Sequence, residues 1–85
     1  MGLDLMTWTM VDSQLVRSFQ FQDFASAHAF VNQVAHVAEV LDHHPSILLE
    51  WGHVEVRTWS HDTGGITDRD HDLTRAIDEL IQEGG

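Results

Sequence analysis

The sequence contains no cysteine. A disulfide framework, a thiolate nucleophile and a Cys-based zinc site are therefore excluded. Lysine is absent as well, so the permanent cations are Arg17, Arg57, Arg69 and Arg75. Against these 4 basic residues stand 14 acidic ones, a net charge of -10 with histidine neutral. Phosphate contact needs a basic surface, so neither nucleic acid nor an anionic membrane is expected as a partner by charge. Apolar runs stay at three or four residues, far short of the roughly 20 that span a bilayer. The first residues lack the charged-then-apolar layout of a secretory leader, and Met6 stands where a myristoylation motif needs Ser or Thr. The expected compartment is the cytoplasm.

Eighty-five residues leave room for one domain, residues 1–85, and not for a second core. Apolar residues make up 42% and charged residues 21%, a globular composition and not a disordered one. The compositional oddity is 7 histidines in a short acidic chain.

Periodicity divides the chain into six elements. Thr7 to Val11 alternates apolar and threonine positions and reads as a strand. Asp12-Ser13 supplies a turn. Leu15 to Phe21 alternates, with Leu15, Arg17, Phe19 and Phe21 on one parity, as the second strand of a hairpin. Asp23 is placed to cap a helix running to Leu41. Its apolar residues, Phe24, Ala27, Phe30, Val31, Val34, Val37, Ala38 and Leu41, step by three and four. Pro45, the sole proline, disfavours helix at His44 and ends the segment. Ile47 to Trp51 and Val54 to Trp59 read as two more strands about Gly52. In the latter Val54, Val56 and Thr58 share one parity. Thr67 starts a last helix, striped by Leu73, Ala76, Ile77, Leu80 and Ile81, and Asp70 lies at capping-box spacing from it. Gly84-Gly85 is expected to fray. The order β-β-α-β-β-α predicts an α+β fold: a four-stranded antiparallel sheet with two helices on one face. Trp8 or Trp59 on the uncovered face could supply an interface, and a domain this small is expected to form oligomers.

The histidines cluster. His43 and His44 fall at a helix C-terminus, where unsatisfied carbonyls favour a cationic imidazole, and His61 follows a strand at the mouth of a Gly-rich loop. If the strand end folds beside the helix end, three imidazoles converge, with carboxylates at Glu39, Asp42, Asp62 and Asp70 near enough to orient them. That invites general acid–base catalysis or a three-His zinc site with an open position. The zinc signature is weak, because adjacent histidines project in different directions and no His-Glu-x-x-His spacing occurs.

The combination is specific. Glu39-x-x-x-His43-His44-Pro45 is followed six residues on by Trp51, then after ten by His61 and after nine by Asp70. Phe19-x-Phe21-x-Asp23-Phe24, Val34-Ala35, Ala38-Glu39 and Gly65-x-Thr67-x-Arg69-Asp70 accompany it. From Trp8 to Ile81 the chain resembles the pterin-4a-carbinolamine dehydratases. The resemblance implies dehydration of a 4a-hydroxytetrahydropterin to the quinonoid dihydropterin, in tetrahydrobiopterin recycling. No cofactor is implied, since the pterin is the substrate, and a homodimer or homotetramer is expected.

By resemblance, His43 and His61 form the acid–base pair and His44 holds the pterin. Glu39 supports the histidine pair, Asp70 orients or polarises His61, and backbone near Trp59-Ser60 faces the pterin's amide-like edge. Asp42 and Pro45 complete the candidate set. Departures are Ser46-Ile47, where an acidic-aromatic pair is common, and Trp51 in place of a common tyrosine. The helix usual ahead of Trp8 is expected to be missing. The competing reading is a non-catalytic binding or assembly module, since relatives also resemble transcription coactivators and Rubisco assembly factors. Such a role would use the helix or sheet surface and not the histidines.

Overall fold

The computed structural model describes residues 8–84, with no side-chain detail beyond Ile81. The expectations for Thr7, for a helix ahead of Trp8 and for Gly85 fall outside this range. Six elements follow in the anticipated order: β1 (Thr9–Val11), β2 (Gln14–Gln20), α1 (Phe24–Leu41), β3 (Ser46–Glu50), β4 (His53–Thr58) and α2 (Asp68–Gly84). All pairings are antiparallel, in the sheet order β1-β2-β4-β3. The crossover through α1 therefore carries the chain past a vacant lane that β4 fills on its return.

Turn chemistry sets the register. Asp12 and Ser13 have φ of 51° and 64°, both left-handed, as a two-residue hairpin that matches the strand twist requires. In the second hairpin Gly52 has φ 68°. A Cβ at Gly52 would stand 2.9 Å from the Phe21 carbonyl oxygen, and the Phe21 N–H donates to the Gly52 carbonyl at 2.8 Å. No larger residue fits that approach without strain.

Both helices cover one face. Phe19, Val54 and Val56 of the sheet meet Ala27, Phe30 and Val34 of α1 and Leu73 and Ile77 of α2. Each fully buried aliphatic side chain contributes roughly 1.5–3 kcal/mol. Arg17 keeps the inward parity of its strand. Its guanidinium lies 4.6 Å above the Phe19 ring and pairs with Asp78 at 2.6 Å. The Trp8 indole N–H donates to the same Asp78 oxygen at 2.9 Å.

Three expectations change. Leu41, assigned to the buried stripe, is 40% exposed at the last position of α1. Trp8 packs toward the helices and is not on the uncovered sheet face, because its parity is that of Met10, opposite Leu15. Phe24, assigned to the buried stripe, is 47% exposed and stacks on His28. At the first helical position it lies before the helix meets the sheet. Asp23 does cap α1, accepting from the Ser26 N–H at 2.8 Å.

Candidate active site

The C-terminus of α1 decides where the two adjacent histidines go. Asp42 adopts a left-handed conformation, φ 54° and ψ 43°. The Asp42 N–H donates to the Glu39 carbonyl at 3.3 Å and the His43 N–H to the Ala38 carbonyl at 3.1 Å. This pair of bonds is a Schellman ending, so backbone already takes two of the carbonyls at the helix end, those of Ala38 and Glu39. The reversal turns His43 inward, 9% exposed, and His44 outward. His44 Nε2 meets Glu39 Oε2 at 2.6 Å on the surface. Glu39 thus supports His44 alone.

The inward histidine meets Asp70. Its Nε2 lies 2.7 Å from Asp70 Oδ1, a carboxylate from the first turn of α2 that is 0% exposed. The Thr58 hydroxyl donates to Oδ1 at 2.6 Å. The Ser60 hydroxyl and the Thr67 N–H donate to Oδ2 at 2.7 Å and 3.0 Å. The Thr67 contact is the carboxylate half of a capping box, while the Thr67 hydroxyl caps the helix by accepting from the Arg69 N–H at 3.3 Å. Burial alone would raise the carboxyl pKa. The bonds from Thr58, Thr67, His43 and Ser60 outweigh it and hold the group at about 2. An ionised carboxylate only accepts hydrogen bonds, so Nε2 of His43 carries a proton. Nδ1 is the nitrogen left for chemistry. No buried side-chain nitrogen or oxygen among the described residues lacks a partner, so Nδ1 keeps contact with the cleft.

The resemblance assigns Asp70 to His61, but the structure gives it to His43. The reason is local. His61 sits in a turn closed by the Ser60 N–H on the Gly65 carbonyl at 2.7 Å, which lifts its side chain outward. It is exposed, with its ring 4.6 Å from that of Trp59 at 54°. Next to it Asp62 pairs with Arg69 at 2.7 Å, and the hydrogen bond from Arg69 lowers the Asp62 pKa.

These elements bound one polar cleft of about 410 Å³, lined by Asp42, His43, His44, Trp59, His61, Asp62 and Arg69. The volume suits a small molecule. The three histidines and Trp59 are on its wall. Ser60 and Asp70 are buried and do not line it, Glu39 is exposed beside His44 and does not line it, and neither does the half-buried Pro45. A larger hollow of about 610 Å³ is lined by Phe21, Ser26, Ala29, Phe30, Asn32, Gln33 and Ile81. It has no titratable side chain, so proton chemistry belongs to the smaller cleft. Among the described residues no group of three or more His, Asp or Glu side chains is arranged to hold a metal ion.

Sequence reasoning missed Thr58 and the Ser60 hydroxyl as partners of Asp70, and Arg69 as a wall residue. The inward parity of Thr58 was a usable signal, because a hydroxyl facing a core needs a partner.

The fold and the site together define a small open-sheet α+β domain that collects histidines from a helix end and a strand end around a polar cleft. The sequence matches the family model for pterin 4 alpha carbinolamine dehydratase over residues 2–80, and the chain belongs to that family. A Marinobacter nauticus protein is 43% identical over 81 residues, covering 91% of this chain and 73% of its own. One from Roseiflexus castenholzii is 44% identical over 78 residues, covering 92% and 84%. Both carry the name "Putative pterin-4-alpha-carbinolamine dehydratase". The crystal structure of a transcriptional coactivator/pterin dehydratase from Brucella melitensis superposes with TM-score 0.82 at 36% identity, covering 89% of this chain and 83% of that one. A pterin dehydratase-like protein described as a Rubisco assembly factor in the alpha-carboxysome shares the fold, with TM-score 0.68 at 22% identity over 86% and 84% of the two chains. No helix among the described residues is long and apolar enough to cross a membrane.

Proposed function

We propose that the chain dehydrates 4a-hydroxytetrahydropterins by histidine acid–base catalysis. The observation that carries this reading is the shared cleft: His43, His44 and His61 line one cavity, and a buried carboxylate fixes the tautomer of His43. In the reaction a proton is delivered to the C4a hydroxyl, the C4a–O bond breaks, and water departs. The ring nitrogen loses its proton, and its electron pair forms the double bond to C4a. Redox state is unchanged, and the proton count closes once base and acid exchange protons with solvent.

His43, with Nε2–H committed to Asp70, offers Nδ1 as the base for the ring nitrogen. His61, exposed on the same cleft, is the acid for the leaving hydroxyl. His44, steadied by Glu39, holds the pterin. Asp42 and Trp59 shape the wall, Ser60 and Asp70 support it from behind, and Pro45 enforces the helix end that separates the two adjacent histidines. Neither metal nor organic cofactor is required. The product feeds tetrahydrobiopterin recycling, and the working form is a homodimer or homotetramer in the cytoplasm.

Stopped-flow absorbance on a chemically generated 4a-hydroxytetrahydropterin tests the reading. The protein should accelerate decay, and His43→Ala or His61→Ala should each lose about 10²–10⁴-fold in rate. No acceleration by the intact protein, or His61→Ala acting like the parent, would defeat it.

A further inference from the structure

Ser60 organises the turn that carries His61, and each of its polar atoms is engaged. Its N–H donates to the Gly65 carbonyl at 2.7 Å, and its own carbonyl accepts from the Gly64 N–H at 2.9 Å and the Thr63 N–H at 3.2 Å. The Thr63 hydroxyl donates to that carbonyl as well, at 3.2 Å. The Ser60 hydroxyl proton goes to Asp70 Oδ2 at 2.7 Å, so the hydroxyl oxygen accepts from the Thr67 hydroxyl at 2.8 Å. The residue is 1% exposed and does not line the cleft.

The other oxygen of the same carboxylate takes His43. His61 makes no hydrogen bond among the described residues, and its ring contact is with Trp59. The position of His61 therefore follows from the backbone of its turn, which Ser60 ties down.

We propose that Asp70 sets the spacing between the two imidazoles, holding His43 directly on one carboxylate oxygen and His61 through Ser60 on the other, so that Ser60 is a positioning residue for the reaction. This rests on the dehydratase reading above. An acid and a base acting on one bicyclic ring must both be in register, and a displacement of about 1 Å can cost on the order of 10²-fold in rate.

Ser60→Ala tests the inference. The Thr67 N–H keeps Oδ2 paired and His43 and Thr58 keep Oδ1 paired, so the domain should fold. Expected is a fall in kcat of about 10- to 100-fold with KM little changed, because the residue does not touch the cleft. In a His61→Ala background the same change should cost nothing further. A loss of thermal stability with kcat intact below melting overturns the inference, as does an equal kcat loss in the His61→Ala background.

Proton NMR gives a readout independent of turnover. The Trp59 indole shifts the ring protons of His61, and Ser60→Ala should collapse that shift while the β4 amide signals stay in place. Unmoved His61 ring signals overturn the inference. If the parent protein does not accelerate dehydration, the functional reading fails and the NMR result alone judges the positioning. Should Ser60→Ala not fold, Ser60→Cys, a weaker donor of similar shape, serves instead at low temperature. The His61 ring signals then shift, whereas unmoved His61 ring signals overturn the inference.

Discussion

Replacing Asp70 by asparagine keeps the shape of the buried side chain and removes its charge. The carboxylate accepts two hydrogen bonds on each oxygen, whereas an amide has one accepting oxygen. The Thr67 N–H is backbone and cannot turn away, so the amide oxygen takes the Oδ2 position. The NH2 then faces Thr58 and His43. The Thr58 hydroxyl can rotate, but His43 must present a bare Nε2 and so carry its proton on Nδ1. That reverses the tautomer and removes the base from the cleft.

The size of the effect follows from the carboxyl itself. Its pKa falls from 3.8 to about 2, so the surroundings prefer the anion to the neutral acid by roughly 2 kcal/mol, at ~1.36 per unit. Asp70→Asn should therefore cost about 2–3 kcal/mol, a large part of the ~5–15 that holds a domain folded. With m of about 1 kcal/mol/M the urea midpoint falls by about 2 M. The pH dependence has a definite sign. The folded pKa is the lower one, so the unfolded chain takes up protons first, and the parent protein loses this stability as pH falls from about 4 to about 2. The variant should lack that acid-limb loss, and its dehydration rate should drop by at least about 10². A variant with the parent's urea midpoint and the parent's acid slope would refute the account of Asp70.

Gly52→Ala should destabilise by about 2 kcal/mol or more, since φ is 68° and the new Cβ stands 2.9 Å from a backbone oxygen; an unchanged urea midpoint would contradict this. Asp42→Gly should raise stability by about 1 kcal/mol, because glycine adopts the left-handed helix ending without a Cβ penalty. Calorimetry should show Tm rising by about 4–8 °C for a domain this small. His44→Ala removes an exposed contact with Glu39, so stability read by urea unfolding should fall by less than about 1 kcal/mol while KM for the pterin rises. A large stability loss with KM intact would reverse the roles assigned to this residue.

Much of the architecture was legible because burial imposes its period on the chain. Val54, Val56 and Thr58 alternate inward as their spacing predicts, and Pro45 gave the end of α1 to within a few residues. Phe24, Leu41 and Trp8 were misassigned because periodicity states which positions share a face and not where that face meets a partner. The αL residue at the end of α1 was hidden by chemistry: Asp42 stands where glycine or asparagine usually signals such an ending.

The site divides in the same way. The chain by itself named the imidazoles that could gather, since a helix ending before a proline, a strand and a Gly-rich loop follow from local propensity and steric restriction, but their meeting in one cleft depended on the strand end folding beside the helix end. It also determined that His43 and His44 diverge, because neighbours on a reversing backbone cannot face one way. Only the tertiary structure decided that the carboxylate of Asp70 belongs to His43, a contact across 27 positions. Hydrogen bonding of a buried anion is settled by whichever donors packing delivers to it, and no spacing rule encodes that delivery.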